Sequence, residues 1–324
     1  MTINLGIIMD PISSINIKKD SSFAILLEAQ NRKYKIYYME LKDLYLKDNK
    51  PYSHTKLLRI KNNKKQWFTL EQQKDVSLSN LDVILMRKNP PINRAYIYAT
   101  YILEQAERNG SYIINKPSSL RSYNEKLFTT THFPQYIPKT LITSNSTKIH
   151  NFIKTYKDII IKPLHGMAGL SIFRIKEHDP NTSVIIETMT KYETIPCISQ
   201  NYITDIQKGD KRILIINGIP FPWCLARIPK KHENRGNLSI GGYGNTQKLS
   251  KNDWEIALSI APTLNKKGIF FAGIDIIGTK LTEINITSPT CIQEIEQDTG
   301  ISISTIILDN LEKNLKKRKT NRYL

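Results

Sequence analysis

The chain is short of cysteine. Three in 324 residues, Cys197, Cys224 and Cys291, with no CxxC pair, exclude a disulfide framework and a zinc site and fit a reducing compartment. Glycine and proline together make up only about 9% of the residues, which excludes collagen-like and low-complexity classes. No apolar run approaches about 20 residues, so no membrane-spanning helix is expected. The N-terminus lacks a basic segment and reaches Asp10 too early for a secretory signal, so a cytoplasmic protein is expected. Acidic residues are also scarce, 29 against 47 Lys and Arg, for a net charge of +18. A basic balance suits nucleic acid, an anionic surface or anionic small substrates; a genome rich in A and T also produces it, as the run Lys61-Asn62-Asn63-Lys64-Lys65 illustrates.

What is present is an ordinary globular composition, 40% hydrophobic and 23% charged, long enough for two or three domains. Residues Asn4–Met9, Lys35–Met39, Leu81–Arg87 and Tyr112–Asn115 read as buried strands. Between them, Asp20-Ser21-Ser22 offers caps for a helix carrying Phe23, Leu26 and Leu27, and Arg94–Arg108 reads as a helix stopped at Asn109-Gly110. This βαβ alternation predicts an open, mostly parallel α/β sheet over residues 1–120. A helix over Ser118–Thr131, another over Thr147–Tyr156 and a strand at Asp158–Lys162 open an α+β region, and β-rich stretches at Ile213–Ile216, Ile269–Ile277 and Leu281–Thr287 follow. The expected partition is 1–120, 121–203, 204–310, and a basic amphipathic tail, 311–324.

Three elements suggest phosphate chemistry. The loop Pro163-Leu164-His165-Gly166-Met167-Ala168-Gly169 lies between strands, and its glycines let backbone N–H groups approach an anion beside Lys162. It is neither a Walker loop nor a dinucleotide fingerprint, and a simple turn explains it as well. Glu283 and Asn285, two apart on a strand, share a face; with Asp275 they offer the oxygen ligands that a hard cation such as Mg²⁺ takes, or merely a solvated polar face. One face can hold both Asp275 and Glu283 only if the connection between their strands is odd in length or carries a bulge. Finally, Lys126, Arg212, Arg227 and Arg235 include basic residues within apolar strand sequence, where a buried charge needs an anion.

In order along the chain, Met9-Asp10-Pro11, Leu85-Met86-Arg87-Lys88, Asn115-Lys116-Pro117, Asn124-Glu125-Lys126-Leu127, Ile161-Lys162-Pro163, Gln200-Asn201-Tyr202, Gly209-Asp210-Lys211-Arg212, Leu225-Ala226-Arg227-Ile228-Pro229, Arg235-Gly236-Asn237-Leu238, Gly273-Ile274-Asp275 and Glu283-Ile284-Asn285-Ile286-Thr287-Ser288-Pro289 resemble bacterial glutathione synthetase, an ATP-grasp ligase family. The resemblance spans about residues 4 to 308. It implies an N-terminal α/β domain followed by a two-part α+β ATP-grasp domain. The implied activity is ligation of γ-glutamylcysteine to glycine with ATP, through an acyl phosphate, giving ADP and phosphate. It assigns Lys126, Lys162, Gly166 and Gly169 to the phosphates, the Gln200, Asn201, Tyr202 and Ile203 hinge to adenine, and Asp210 to the ribose end. Asp275, Glu283 and Asn285 would hold Mg²⁺, with Mn²⁺ also suited; Arg212, Arg227 and Arg235 would face the reacting carboxylate and phosphoryl group; Asn16, Arg87, Asn237 and Ser288 would touch the dipeptide. The family also implies a homo-oligomer, a homotetramer, with no nucleic-acid or membrane partner.

The sequence departs from the family pattern at His165 and Ala168 in the glycine loop and at Tyr243, where an arginine is usual. His132, His150, His178 and His232 are isolated from one another, and Cys291 reads as a small buried filler. The other readings are a different ATP-grasp carboxylate–amine ligase and a basic nucleic-acid-binding protein, although no nucleic-acid module is present.

Overall fold

A computed structural model describes residues 2–320, apart from Met167, Ala168, His232, Asn234, Asn237, Ser239 and Ile240. The expectations placed on Ala168, His232 and Asn237 lie outside the described residues.

The first third forms β1 (Asn4–Ile8), α1 (Ser21–Asn31), β2 (Lys35–Met39), β3 (Leu44–Lys47), β4 (Lys50–Ile60), β5 (Phe68–Ser77), β6 (Val83–Met86), α2 (Arg94–Arg108) and β7 (Tyr112–Ile114). Strands β2, β1, β6 and β7 are parallel neighbours, as the buried apolar runs imply. Asp20 caps α1 by accepting from Phe23 N, and Asn93 caps α2 by accepting from Tyr96 N. The expected parallel sheet is, however, only part of a seven-stranded one: β3, β4 and β5 add to it antiparallel. Their solvent-facing positions carry Lys, Gln and Asp, so no buried apolar run marks them.

A second unit follows. The helix expected over Ser118–Thr131 is two helices, α3 (Pro117–Ser122) and α4 (Leu127–His132). Asn124 causes the break: its Oδ1 accepts from Lys126 N and Leu127 N, competing with helical backbone bonds. Next come β8 (Thr140–Thr143), α5 (Ser146–Tyr156), β9 (Asp158–Pro163), β10 (Phe173–Lys176), α6 (Thr182–Thr190) and β11 (Cys197–Asn201), whose strands form a four-stranded sheet in the order β10-β9-β11-β8.

The remainder builds a five-stranded sheet, β14-β13-β12-β15-β16, from β12 (Asp210–Ile216), β13 (Ile219–Ile228), β14 (Tyr243–Lys248), β15 (Phe271–Ile277) and β16 (Lys280–Asn285). Helices α7 (Lys251–Lys266), α8 (Ile292–Thr299) and α9 (Ile303–Thr320) cover it. The basic stretch from Leu311 is no separate tail: it continues α9, burying Leu311 and Leu315, while Glu312 accepts from Arg32 and Tyr34.

Strand alternation sorts the interior into two layers. Tyr37, Ile84 and Met86 join Ile213, Ile274 and α7 in one; Ile36, Val83 and Leu85 join Leu214, Ile216, α1, α8 and α9 in the other. Both layers run through the first and third sheets, which therefore form one body. The four-stranded sheet keeps a small core of its own, around Ile149, Ile159, Ile161 and Ile175.

Candidate active site

A cleft of about 970 Å³ opens between this small unit and the five-stranded sheet. The small unit supplies Lys162, Gly166, Gly169, Gln200, Asn201, Tyr202 and Ile203; the sheet supplies Asp210, Arg212, Asp275 and Glu283; Lys126 and Arg235 also line it, among further apolar residues. A second cavity, about 810 Å³, shares Gly166, Arg212 and Glu283 with it and adds Arg227, Asn285, Ser288, Glu125 and Asn89.

Register explains why the charged groups converge. Arg212 pairs across the sheet with Asp275, Asp275 with Glu283, and Arg227 with Asp210, so all five share one face. The β15–β16 turn has two residues, Gly278 and Thr279, and pairs Ile277 with Lys280. Unbroken, that register would put Asp275 and Glu283 on opposite faces. A bulge beyond Ile276–Leu281 restores the pairing of Asp275 with Glu283, with Asn285 opposite Gly273. The structure thus uses a bulge rather than a three-residue loop. Gly273 is needed for a second reason: a Cβ there would lie 2.6 Å from Arg212 Cδ, blocking the path of that side chain to Asp275.

The electrostatics are tightly paired. Arg212 grips both oxygens of Asp275, Arg227 Nη2 lies 2.9 Å from Asp275 Oδ2, and Asn285 Nδ2 donates to the same oxygen at 3.1 Å. Burial alone would raise the Asp275 pKa, but the two guanidiniums hold it far below the usual carboxylate range. Burial pushes Asp210 upward, against the pull of Arg227. The two cleft lysines differ. Lys126 Nζ is 2.8 Å from Glu283 Oε1, and this carboxylate outweighs burial and raises its pKa. No salt bridge reaches Lys162 among the described residues, and burial lowers it to about 8. Arg235 donates to Gly169 O at 3.2 Å and to Glu233, linking the sheet to the glycine loop.

In the segment expected to act as the hinge, Tyr202 N donates to Asp158 O, and the Arg174 guanidinium lies 3.6 Å from the Tyr202 ring centroid while gripping Asp158. Gln200 is turned toward Thr140, to whose hydroxyl it donates.

Not every expected residue lines a cavity. Asn16 is exposed, and its Oδ1 accepts from Lys18 N, an Asx-type turn that takes the side chain locally. Arg87 is buried behind the second cavity, donating to Ser22 Oγ and Pro289 O; burial lowers it to about 10, and its Nη1 has no partner among the described residues. Ser288 donates to Asn89 Oδ1. Cys291 is buried, as expected of a filler, yet it borders the second cavity at the N-cap of α8 with φ +84°. The sequence assigns no role to two further lining residues, Glu125, which directly precedes Lys126, and Asn89, two residues after Arg87. Tyr243 is exposed on β14.

Hard oxygen donors dominate this face, which suits a divalent cation. Among the described residues no three His, Cys, Asp or Glu side chains form a preassembled metal cluster, so phosphate oxygens would have to complete the coordination, the usual habit of Mg²⁺.

Comparison with known proteins decides the family. Residues 3–121 match the model of the prokaryotic glutathione synthetase N-terminal domain, and residues 125–300 that of its ATP-grasp domain. The chain belongs to the prokaryotic glutathione synthetase family. It is 56% identical over 315 residues to a glutathione synthetase of Buchnera aphidicola from Acyrthosiphon pisum, covering 97% of this chain and 98% of that one. To the Escherichia coli K12 glutathione synthetase it is 54% identical over 316 residues, 98% of this chain and all of the other. Among solved structures, D-cycloserine synthetase DcsG superposes with a TM-score of 0.67 at 10% identity, covering 96% of this chain and 100% of that one. D-alanyl-alanine synthetase A of Vibrio cholerae gives 0.59 at 12%, covering 97% and 99%; at such identities the likeness speaks for the fold. As a glutathione synthetase family member the chain is an ATP-grasp carbon–nitrogen ligase of ATP-dependent glutathione synthesis, and it depends on a divalent metal. No helix among the described residues is long and apolar enough to cross a membrane.

Proposed function

We propose that the two cavities divide one reaction between them: ATP lies in the first, and γ-glutamylcysteine with glycine in the second. The observation that carries this is their shared border at Gly166, Arg212 and Glu283, where a γ-phosphate and an acceptor carboxylate would meet. The dipeptide's cysteinyl carboxylate attacks the γ-phosphorus and ADP leaves. The glycine amine then adds to the acyl phosphate and expels phosphate. No enzyme nucleophile is required, so the chain's task is positioning and stabilisation of negative charge.

Lys162, buried and in no salt bridge among the described residues, would take a phosphate oxygen, while Lys126 would exchange Glu283 for phosphate as nucleotide enters. The hinge from Gln200 to Ile203 takes adenine and Asp210 the ribose side. Arg212, Arg227 and Arg235 take the charge developing on the phosphoryl group and carboxylate, and Arg87, Asn237, Ser288 and Asn16 belong to the dipeptide end. Glu283, Asn285 and Asp275 would hold Mg²⁺, with Mn²⁺ as substitute; the ion's contribution is to neutralise the triphosphate and polarise its γ-phosphoryl group. The assembled enzyme is read as a homotetramer, which light scattering would check.

The test is ADP release with each substrate omitted in turn. Release that needs both γ-glutamylcysteine and glycine is expected. Full release with a D-alanine pair, or without glycine, would favour a different ATP-grasp ligase.

A further inference from the structure

We propose that Glu125 is a positioning residue that holds the metal-bearing strand and the floor of the second cavity in register. Strand β16 is the last in its sheet, so one edge has no neighbouring strand. An unpaired edge leaves backbone N–H groups without partners and its register free to slip. Two groups take the place of that neighbour: Tyr136 O accepts from Leu281 N at 3.0 Å near the start of β16, and Glu125 holds its other end. The Glu125 backbone oxygen accepts from Ile284 N at 3.0 Å. Its carboxylate Oε1 accepts from Ile286 N at 2.8 Å, Thr287 N at 3.1 Å and Thr287 Oγ at 3.0 Å.

These bonds bracket Asn285 on both sides. They also fix the turn leading to Ser288 and Thr290, which line the second cavity. Glu125 can do this because Asn124, between α3 and α4, interrupts the helical course and leaves the next residue facing β16. Glu125 is buried, which strengthens its bonds and makes their loss costly, because two backbone N–H groups would be left unpaired. Among the described residues this carboxylate accepts from Ile286 and Thr287, while Lys162 and the segment 200–203, which line the first cavity, make no bond to it; Lys126 alone is tied to β16, through Glu283. Loss of the Glu125 side chain should therefore disturb the metal and dipeptide positions far more than metal-free nucleotide binding.

The inference rests on the reading that Glu283 and Asn285 hold the divalent cation, and the experiment separates the two. Wild type, Glu125→Ala, Glu125→Gln and Glu283→Gln, as full chains, are compared in three measurements: half-saturating Mg²⁺ in turnover, Mn²⁺ binding to the ADP-loaded protein by EPR, and ADP binding without metal. Residues that orient metal ligands typically change affinity about 10- to 100-fold, so Glu125→Ala should raise half-saturating Mg²⁺ and the Mn²⁺ dissociation constant by at least about tenfold. It should raise KM for γ-glutamylcysteine as well and leave metal-free ADP binding within about twofold, while Glu125→Gln, which keeps the accepting oxygen, recovers most of the loss. Should the alanine variant not fold, Glu125→Asp, one methylene short of the same N–H groups, carries the same expectation. A variant whose only defect is a smaller folded fraction, with wild-type Mg²⁺ dependence, overturns the inference. Unchanged Mn²⁺ binding in Glu283→Gln overturns instead the metal site on which it rests.

Discussion

The two walls of the first cleft differ in how they are held. The small four-stranded unit has its own core of isoleucines and presents apolar and uncharged polar side chains with one buried lysine that no salt bridge reaches among the described residues. The five-stranded wall is embedded in both large hydrophobic layers and presents a lattice of paired charges. A rigid, charge-compensated face suits a site where negative charge develops, because its dipoles need not reorganise during reaction. A separately cored unit can move against it as a body, and that suits nucleotide entry.

The largest effect should come from breaking the charged wall. Asp275→Ala leaves Arg212 and Arg227 buried without their shared carboxylate. Unfolding in denaturant should show a loss of about 3–5 kcal/mol, and turnover should be abolished. If stability and turnover both survive, the wall is not organised around Asp275.

Next comes Lys162, the lysine that the small unit places in the cleft. Lys162→Ala should weaken ATP binding about 100-fold by calorimetry, the range of a lost charge-assisted bond. Lys162→Arg should recover little of this, since a planar guanidinium does not fit the space of an ammonium. Wild-type affinity in the alanine variant would remove Lys162 from the phosphate site.

A pH series sharpens the contrast between the lysines. Lys162 in the folded protein titrates near pH 8, so its charge is present below that value and lost above it. ATP affinity should fall as pH rises through about 8, approaching tenfold per unit, and Lys162→Arg should be flat over the same window. For stability the sign is opposite. The unfolded lysine keeps its proton up to the ordinary lysine value, so this group's contribution to stability rises with pH between about 8 and there.

The smallest expected effect is at the hinge. Arg174→Ala removes the cation stacked on Tyr202 and the partner of Asp158, and KM for ATP should rise about threefold with kcat unchanged. A change in kcat instead would mean that the hinge controls closure of the small unit.

Parts of the fold were legible because short-range physics decides them. The strand Lys35–Met39 and the helix Arg94–Arg108 have the bounds their apolar periodicity and caps imply, since burial on both faces or one leaves that imprint. The antiparallel addition β3–β5 left little imprint, because half-exposed strands carry mixed residues. The break at Asn124 was hidden because helical periodicity continues on either side, and one side chain's two hydrogen bonds override it. In the site, residue types and the i, i+2 spacing of Glu283 and Asn285 announced an oxygen-rich face. Spacing also showed that a shared face for Asp275 and Glu283 required a register shift.

By itself the sequence determined the family, the parallel strands with their helices, and the inventory of phosphate- and cation-competent side chains, because motif order and apolar period are local properties of a chain. Tertiary structure alone decided which charges pair. Asp275 meets two arginines, Lys126 meets Glu283, and Lys162 is in no salt bridge among the described residues because strand register and the bulge before Glu283 set distances that no spacing along the chain encodes. It also decided that Asn16 turns away into its own loop and that Glu125, together with Tyr136, closes the free edge of β16. Edge closure depends on which segments meet across a fold, and residues 125 and 286 meet only after both have been placed by the cores beneath them.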